Sequence, residues 1–326
     1  MARAEVGDDV FGEDPTVCRL EAMAAERMGK EAALFVASGT MGNLAGVLAH
    51  CGRGDEVILG DLAHTFLYEA GGVSALGGVH PHPVRTRPDG TLPLEEIEAA
   101  IRTDDVHFPI SRLICLENTH NRCGGVALTA EYTSAVGVLA KRRGLRLHLD
   151  GARIFNAAAA LGVDARLLAE PADSITFCLS KGLCAPVGSL LCGDSEYIGR
   201  ARRVRKQLGG GMRQAGVLAA AGIVALETMV DRLAEDHKRA RLLAVGLGGI
   251  PGILLDPGTP QTNMVFLNLS ESFPVDAQQA SERLRGLGIR VHPSGARRLR
   301  LVLHYWINDA GVEATIDGFQ NIADNG

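Results

Sequence analysis

The sequence predicts an α/β protein: a large domain with a mainly parallel sheet covered by helices, followed by a smaller C-terminal α+β domain. Three observations predict it. Through the first two thirds of the chain, short aliphatic runs alternate with longer segments of helical period. The runs are apolar on both faces, which a strand tolerates only where helices cover both sides of its sheet. After Gly252 the pattern changes to strands separated by few helices. The expected division is residues 1–240 and 241–326.

Element by element, strands are expected at ALFVAS (33–38), EVILG (56–60), RLICLEN (112–118), LRLHLD (145–150), SITFCLS (174–180) and GSLLCG (188–193). Between them, helices are expected over 15–28, 41–51, 94–102, 132–143 and 195–205. A long helical stretch runs from Gln214 through Leu242 with a break near Asp231. The C-terminal part offers NMVFLNLS (263–270), a helix over 277–287, IRVH (289–292), LRLVLHY (299–305) and a last helix from Val312.

The chain has 326 residues, 46% of them hydrophobic, enough for a substantial core in two domains. Net charge is −5 and basic residues are spread along the chain, which excludes a nucleic-acid surface of the usual basic kind. No signal-peptide core and no apolar span of membrane length is present, so no membrane contact is expected. The seven cysteines form no C-x-x-C pair and sit mostly in apolar runs, pointing to reduced thiols, no metal cluster and a cytoplasmic or organelle-matrix location.

In parallel α/β sheets the ligand crevice lies at the carboxyl ends of the strands. Three strand ends are unusual here. Ser38-Gly39-Thr40 closes one strand and opens a helix, so its small residues either cap that helix or let backbone N–H groups approach a phosphate. Asp150 ends a buried strand and needs a cationic partner, either Arg153 or a protonated pyridine nitrogen. Lys181 follows SITFCLS; it is either a solvated surface lysine or, desolvated beside cationic neighbours, the free amine a Schiff base needs.

A phosphate cradle, a strand-end Asp and then a strand-end Lys, in that order, resemble the fold-type-I pyridoxal-phosphate (PLP) enzymes of the aspartate aminotransferase superfamily. The strings VGDDVFGEDPTV (6–17), SGTMGN (38–43), LENTHN (116–121), HLDGARIFNA (148–157), SKGLCAPVGS (180–189), RKQLGGGMRQAG (205–216) and EDH (235–237) narrow the resemblance to the threonine aldolase family. That resemblance implies retro-aldol cleavage of β-hydroxy-α-amino acids such as threonine to glycine and an aldehyde. It also implies a homo-oligomer, a dimer of dimers, with active sites between subunits.

Carried over residue by residue, the resemblance implies that Lys181 holds PLP as a Schiff base and Asp150 pairs with the pyridine nitrogen. Arg153 lies near the ring's phenolic oxygen, Gly39, Thr40 and Met41 contact the phosphate, and His64 stacks on the ring. His120 lines the pocket near the substrate hydroxyl, so His64 and His120 are the two candidate bases. Lys206 and Arg213 resemble residues used around phosphate and substrate, some reaching in from a neighbouring subunit. Arg300 matches the arginine that binds the substrate carboxylate, with Arg297 or Arg298 as helpers.

One departure stands out: family members start with an Arg-Ser-Asp-Thr segment that contributes to the carboxylate site, whereas this chain begins just before VGDDVF. The expected consequence is a weakened substrate site, with a catalytically impaired PLP-binding homologue as the alternative to an active aldolase. Another PLP lyase or an aminotransferase is a further alternative. GLGGIPG (246–252) is no dinucleotide loop, because Pro251 interrupts it and no strand precedes it. His80 and His82 flank Pro81 on an expected surface segment and carry no assigned role.

Overall fold

The computed structural model describes residues 1–325. The chain divides into two compact units, residues 1–123 with 127–230, and residues 124–126 with 231 onward. The second unit thus begins at Asp231 instead of residue 241, because the break near Asp231 separates two helices, Gly216–Thr228 and Leu233–Gly248.

The first unit is built on seven strands: β1 (Ala32–Val36), β2 (Asp55–Gly60), β3 (His80–Val84), β4 (Ile110–Glu117), β5 (Arg146–Asp150), β6 (Ser174–Cys178) and β7 (Ser189–Gly193), in the order β1-β7-β6-β5-β4-β2-β3. β7 is antiparallel to β1 and β6, and the remaining neighbours are parallel, so every strand except β7 points the same way. β5 to β7 are almost wholly buried, as their unbroken aliphatic runs require.

Local chemistry explains the helix limits. The Pro15–Met28 helix starts at Asp14, whose carboxylate accepts from the N–H groups of Thr16 and Val17, has Pro at its first turn and ends at Gly29 with φ 63°. Its buried stripe of Val17, Leu20, Ala24 and Met28 has helical spacing. Burying Leu20 and Met28 stabilises the unit by about 1.5–3 kcal/mol each. Thr129 caps Tyr132 and so starts the helix expected over 132–143 two residues early, at Ala130.

One strand escaped the sequence pattern. HPHPV forms β3, parallel to β2 at the sheet edge, where prolines without N–H groups are tolerated. His80 and His82 therefore belong to the sheet, at the amino ends of the strands. His82 Nδ1 lies 3.3 Å from the buried Glu56 carboxylate, which also accepts from Ser111 at 2.9 Å.

The second unit is an antiparallel sheet of β8 (Ile253–Leu255), β9 (Met264–Leu269), β10 (His292–Pro293) and β11 (Arg298–Val302), ordered β10-β11-β9-β8. Leu267, Leu299 and Leu301 meet Leu243, Leu247, Leu284 and Phe319 from the unit's helices in one core. The expected IRVH strand pairs only at His292–Pro293. Among the described residues no helix is long and apolar enough to cross a membrane.

Candidate active site

Because β1, β2, β4, β5 and β6 run in one direction, the segments that follow them leave the same edge of the sheet. Those segments carry Ser38 to Met41, His64, His120, Asp150 and Lys181. The sheet therefore gathers these residues at one edge, and Asp150 and Lys181 follow adjacent strands.

The helix Gly39–His50 comes down on that edge through a glycine stripe. A Cβ at Gly39 would sit 2.8 Å from Cys178 Sγ, at Gly42 2.6 Å from Thr176 Cγ2, and at Gly46 2.8 Å from His148 Cε1. Real Cβ atoms cannot approach so closely, so glycine is what brings the helix onto β5 and β6. At its N-terminus Ser38 Oγ accepts from Met41 N at 3.1 Å. Helix geometry leaves the N–H groups of Gly39 and Thr40 without an intrahelical acceptor, at the positive end of the helix dipole. The Ser38 cap and an anion cradle thus coexist, with Gly39 and Thr40 better placed for an anion than the Met41 amide.

Asp150 is buried, with Oδ1 accepting from Ala152 N at 3.1 Å and Oδ2 from Asn43 Nδ2 at 2.8 Å. Asn43 Nδ2 also donates to Glu69 Oε1 at 2.8 Å, and the same oxygen lies 2.9 Å from His64 Nδ1. One amide thus joins the strand-end carboxylate to the partner of His64. The hydrogen bond to Glu69 raises the pKa of His64 above its ordinary value, while burial raises that of Glu69. The pair therefore keeps its shared proton to higher pH than free histidine. Glu117 fixes the backbone on the other side, accepting from His64 N at 2.6 Å and Asn121 N at 2.8 Å.

Sequence reasoning assigned no role to Asn43, Glu69 or Glu117. Asn43 and Glu117 lie inside the quoted strings SGTMGN and LENTHN, so a signal existed for both. Glu69 had none: it reaches His64 because the short helix His64–Leu67 folds the chain back so that residues five apart meet.

His120 is buried, and its Nδ1 and the neighbouring Thr119 Oγ1 have no hydrogen-bond partner among the described residues. Thr176 Oγ1 and Ser189 Oγ are likewise buried and unpartnered. Orphaned buried polar atoms are costly, so the adjacent Thr119 and His120 argue for a ligand that completes them. Lys181 is half-buried beyond β6, where Cys184 N donates to its carbonyl oxygen at 2.9 Å. Arg153 is half-buried at the start of the helix Ile154–Leu161.

The 206–213 loop approaches the same helix terminus: a Cβ at Gly210 would meet Met41 Sδ at 2.3 Å. Lys206 is exposed there. Arg213 bonds Asp8 Oδ2 at 2.7 Å and lies over the Phe11 ring, so within this chain its partner is the N-terminal segment. The buried cation of the region is Arg205, absent from the expected set, which donates to Phe35 O at 2.7 Å and pairs with Asp9 at 2.8 Å.

In the second unit Arg300 lines a cleft of about 730 Å³ with Arg285, Arg290, His292 and His304. Strand alternation puts Arg298 and Arg300 on the face away from Leu299 and Leu301. The two helpers expected beside Arg300 are engaged in the fold: Arg297 donates to the carbonyls of Leu269, Ser270 and Phe273, and Arg298 pairs with Asp256 and lies over the Phe266 ring.

A carboxylate at a strand end, a lysine after the adjacent strand, helix N–H donors and a histidine held by a carboxylate form a donor set that fits pyridoxal phosphate. The sequence profile of the β-eliminating lyase family matches residues 1–270. The chain belongs to the β-eliminating lyase family, alongside the threonine aldolases. A probable low-specificity L-threonine aldolase 2 of Arabidopsis thaliana is 52% identical over 99% of this chain and 92% of its own length. The low specificity L-threonine aldolase of Escherichia coli K12 is 46% identical over 93% and 88%.

Solved lyase-family structures agree on the fold. A putative L-allo-threonine aldolase of Listeria monocytogenes superposes with a TM-score of 0.82 at 19% identity, covering 99% of this chain and 90% of that one. The Leishmania major threonine aldolase gives 0.81 at 22% identity, covering 98% and 92%. The expected fold-type-I architecture is thereby established for this lyase.

Proposed function

We propose that this lyase cleaves L-threonine and L-allo-threonine to glycine and acetaldehyde, using pyridoxal 5'-phosphate. The observation that carries the reading is the convergence of Asp150, Lys181 and the Gly39–His50 helix terminus at one sheet edge. When bound, the cofactor accepts the electron pair released as the Cα–Cβ bond breaks. Lys181 would hold it through its amine, Asp150 would pair with its ring nitrogen, and Arg153 would serve its phenolic oxygen. Gly39, Thr40 and Met41 would hold its phosphate, with Lys206 and Arg213 as further contacts, and His64 would stack on its ring.

Arg300 takes the substrate carboxylate and so fixes rotation about the Cα–N bond. That orientation would decide which bond of the substrate breaks. His64 and His120 are the two bases for the β-hydroxyl proton. The hydrogen bond from His64 to Glu69 ties its Nδ1, leaving Nε2 as its working atom, whereas His120 has an open Nδ1.

The lyase assembles as a dimer of dimers in the cytoplasm and serves threonine catabolism and glycine formation. Incubation with each threonine diastereomer tests the reading: equimolar glycine and acetaldehyde support it. Elimination to a keto acid and ammonia, transamination, or a cofactor band without turnover would replace it with another PLP lyase, an aminotransferase or an impaired homologue. Light scattering giving anything but four times 34.4 kDa removes the tetramer.

A further inference from the structure

Behind Asp150 a buried hydrogen-bonded chain runs away from the site. Asn43 Oδ1 lies 3.5 Å from His148 Nε2, His148 Nδ1 lies 2.8 Å from Ser174 Oγ, and Ser174 Oγ lies 2.8 Å from His50 Nε2. Asn43, His148 and Ser174 are all at most 2% exposed. His148 and Asp150 are two apart on β5 and therefore share a sheet face. The helix covering that face carries Gly46 where any side chain would strike the imidazole. His50 closes the outer end, stacked on Tyr197 at 4.3 Å.

Hydrogen-bond arithmetic fixes every proton in this chain. Carboxylates only accept, so Asn43 must turn its NH2 toward Asp150 and Glu69 and its oxygen toward His148. His148 must then be protonated on Nε2 and bare on Nδ1. Ser174 therefore donates to His148 and accepts from His50. Burial pushes His148 down to about 4 and His50 down to about 3, so both rings are neutral around pH 7 and this polarity holds. The charged groups facing the chain are Asp150 and Glu69 at the inner end, with Arg146 and Arg200 beside His50.

We propose that His148 is a positioning residue for the cofactor: by donating to the Asn43 oxygen it locks the Asn43 NH2 onto Asp150, and so sets the carboxylate that faces the ring nitrogen. Hydrogen bonds in series polarise one another, so each donor outward strengthens the Asn43 N–H toward Asp150. A better-solvated carboxylate favours the proton on the ring nitrogen over the proton shared back to Asp150. The inference rests on the cofactor reading above.

Two measurements test it. In cofactor-free protein, NMR of isotope-labelled histidine should show His148 neutral and protonated on Nε2 at pH about 7; an Nδ1-protonated or doubly protonated ring overturns the proposal. With PLP added, His148→Phe and Ser174→Ala should move the pH midpoint of the cofactor's visible band upward by about one unit. They should lower kcat roughly tenfold with KM unchanged, as the same unit of free energy implies. His148→Gln, which keeps a donor toward Asn43, should restore the wild-type midpoint. Unshifted midpoints in a folded Ser174→Ala protein overturn the proposal even if His148→Phe does not fold. Wild-type protein that develops no visible band with PLP overturns the cofactor reading instead, and the tautomer measurement still decides the wiring of His148.

Discussion

His64 Nδ1 is held 2.9 Å from Glu69 Oε1, five residues along the chain, and the same carboxylate oxygen accepts from Asn43. That bond favours protonated His64, whose raised pKa means its contribution to stability is present below the unfolded value of about 6.5 and is lost as pH rises through the folded value. A base must be neutral, so kcat/KM should rise with pH through the same range. Glu69→Gln keeps the hydrogen bond but removes the charge. Its acid limb should move to lower pH in a pH–rate profile; an unmoved limb removes His64 as the base.

Lys181→Ala should lose both the visible cofactor band and turnover, because the amine that forms the Schiff base is gone. His120→Ala should behave differently, keeping the band while kcat falls by about 10²–10⁴. Absorption spectra recorded beside aldehyde release separate the two. A Lys181→Ala protein that still turns over would refute the assignment.

Arg297 and Arg300 lie on one short segment yet should fail in different assays. Arg300→Ala removes a charged hydrogen-bond donor worth about 1.5–3 kcal/mol, raising KM roughly tenfold or more. Arg297→Ala strips a guanidinium from three backbone carbonyls and should cost about 1–3 kcal/mol of stability with KM unchanged. Steady-state kinetics and thermal melts on both variants check the split, and interchange of the two outcomes would reverse the roles.

The N-terminal segment offers a second contrast. Asp9→Ala leaves the buried Arg205 guanidinium without its carboxylate and should destabilise by about 3–5 kcal/mol. Arg213→Ala breaks the exposed pair with Asp8 while leaving the Asp8 cap on Val10 N, and should cost less than about 1 kcal/mol. Urea unfolding midpoints give both values; equal losses would mean that Arg205 finds another partner.

Much of the fold was legible because strand and helix periods are local: six of the seven large-sheet strands appear where their aliphatic runs stand. β3 was not, since HPHPV carries two prolines and a single β-branched residue, and only its edge place beside β2 makes it a strand. IRVH failed the other way, having the composition of a strand with a two-residue partner.

By itself the sequence determined which chemistry-bearing residues exist, in what order, and that Asp150 and Lys181 follow consecutive buried strands of one sheet. Tertiary structure decided which groups touch them: Asn43 on Asp150 across 107 residues, Arg205 on Asp9, and Arg297 turned into the backbone beside an Arg300 that lines the cleft. Periodicity reports which face a residue occupies. A hydrogen-bond partner is set by where distant segments pack, and here glycines 39, 42 and 46 settle it by letting one helix lie against two strands.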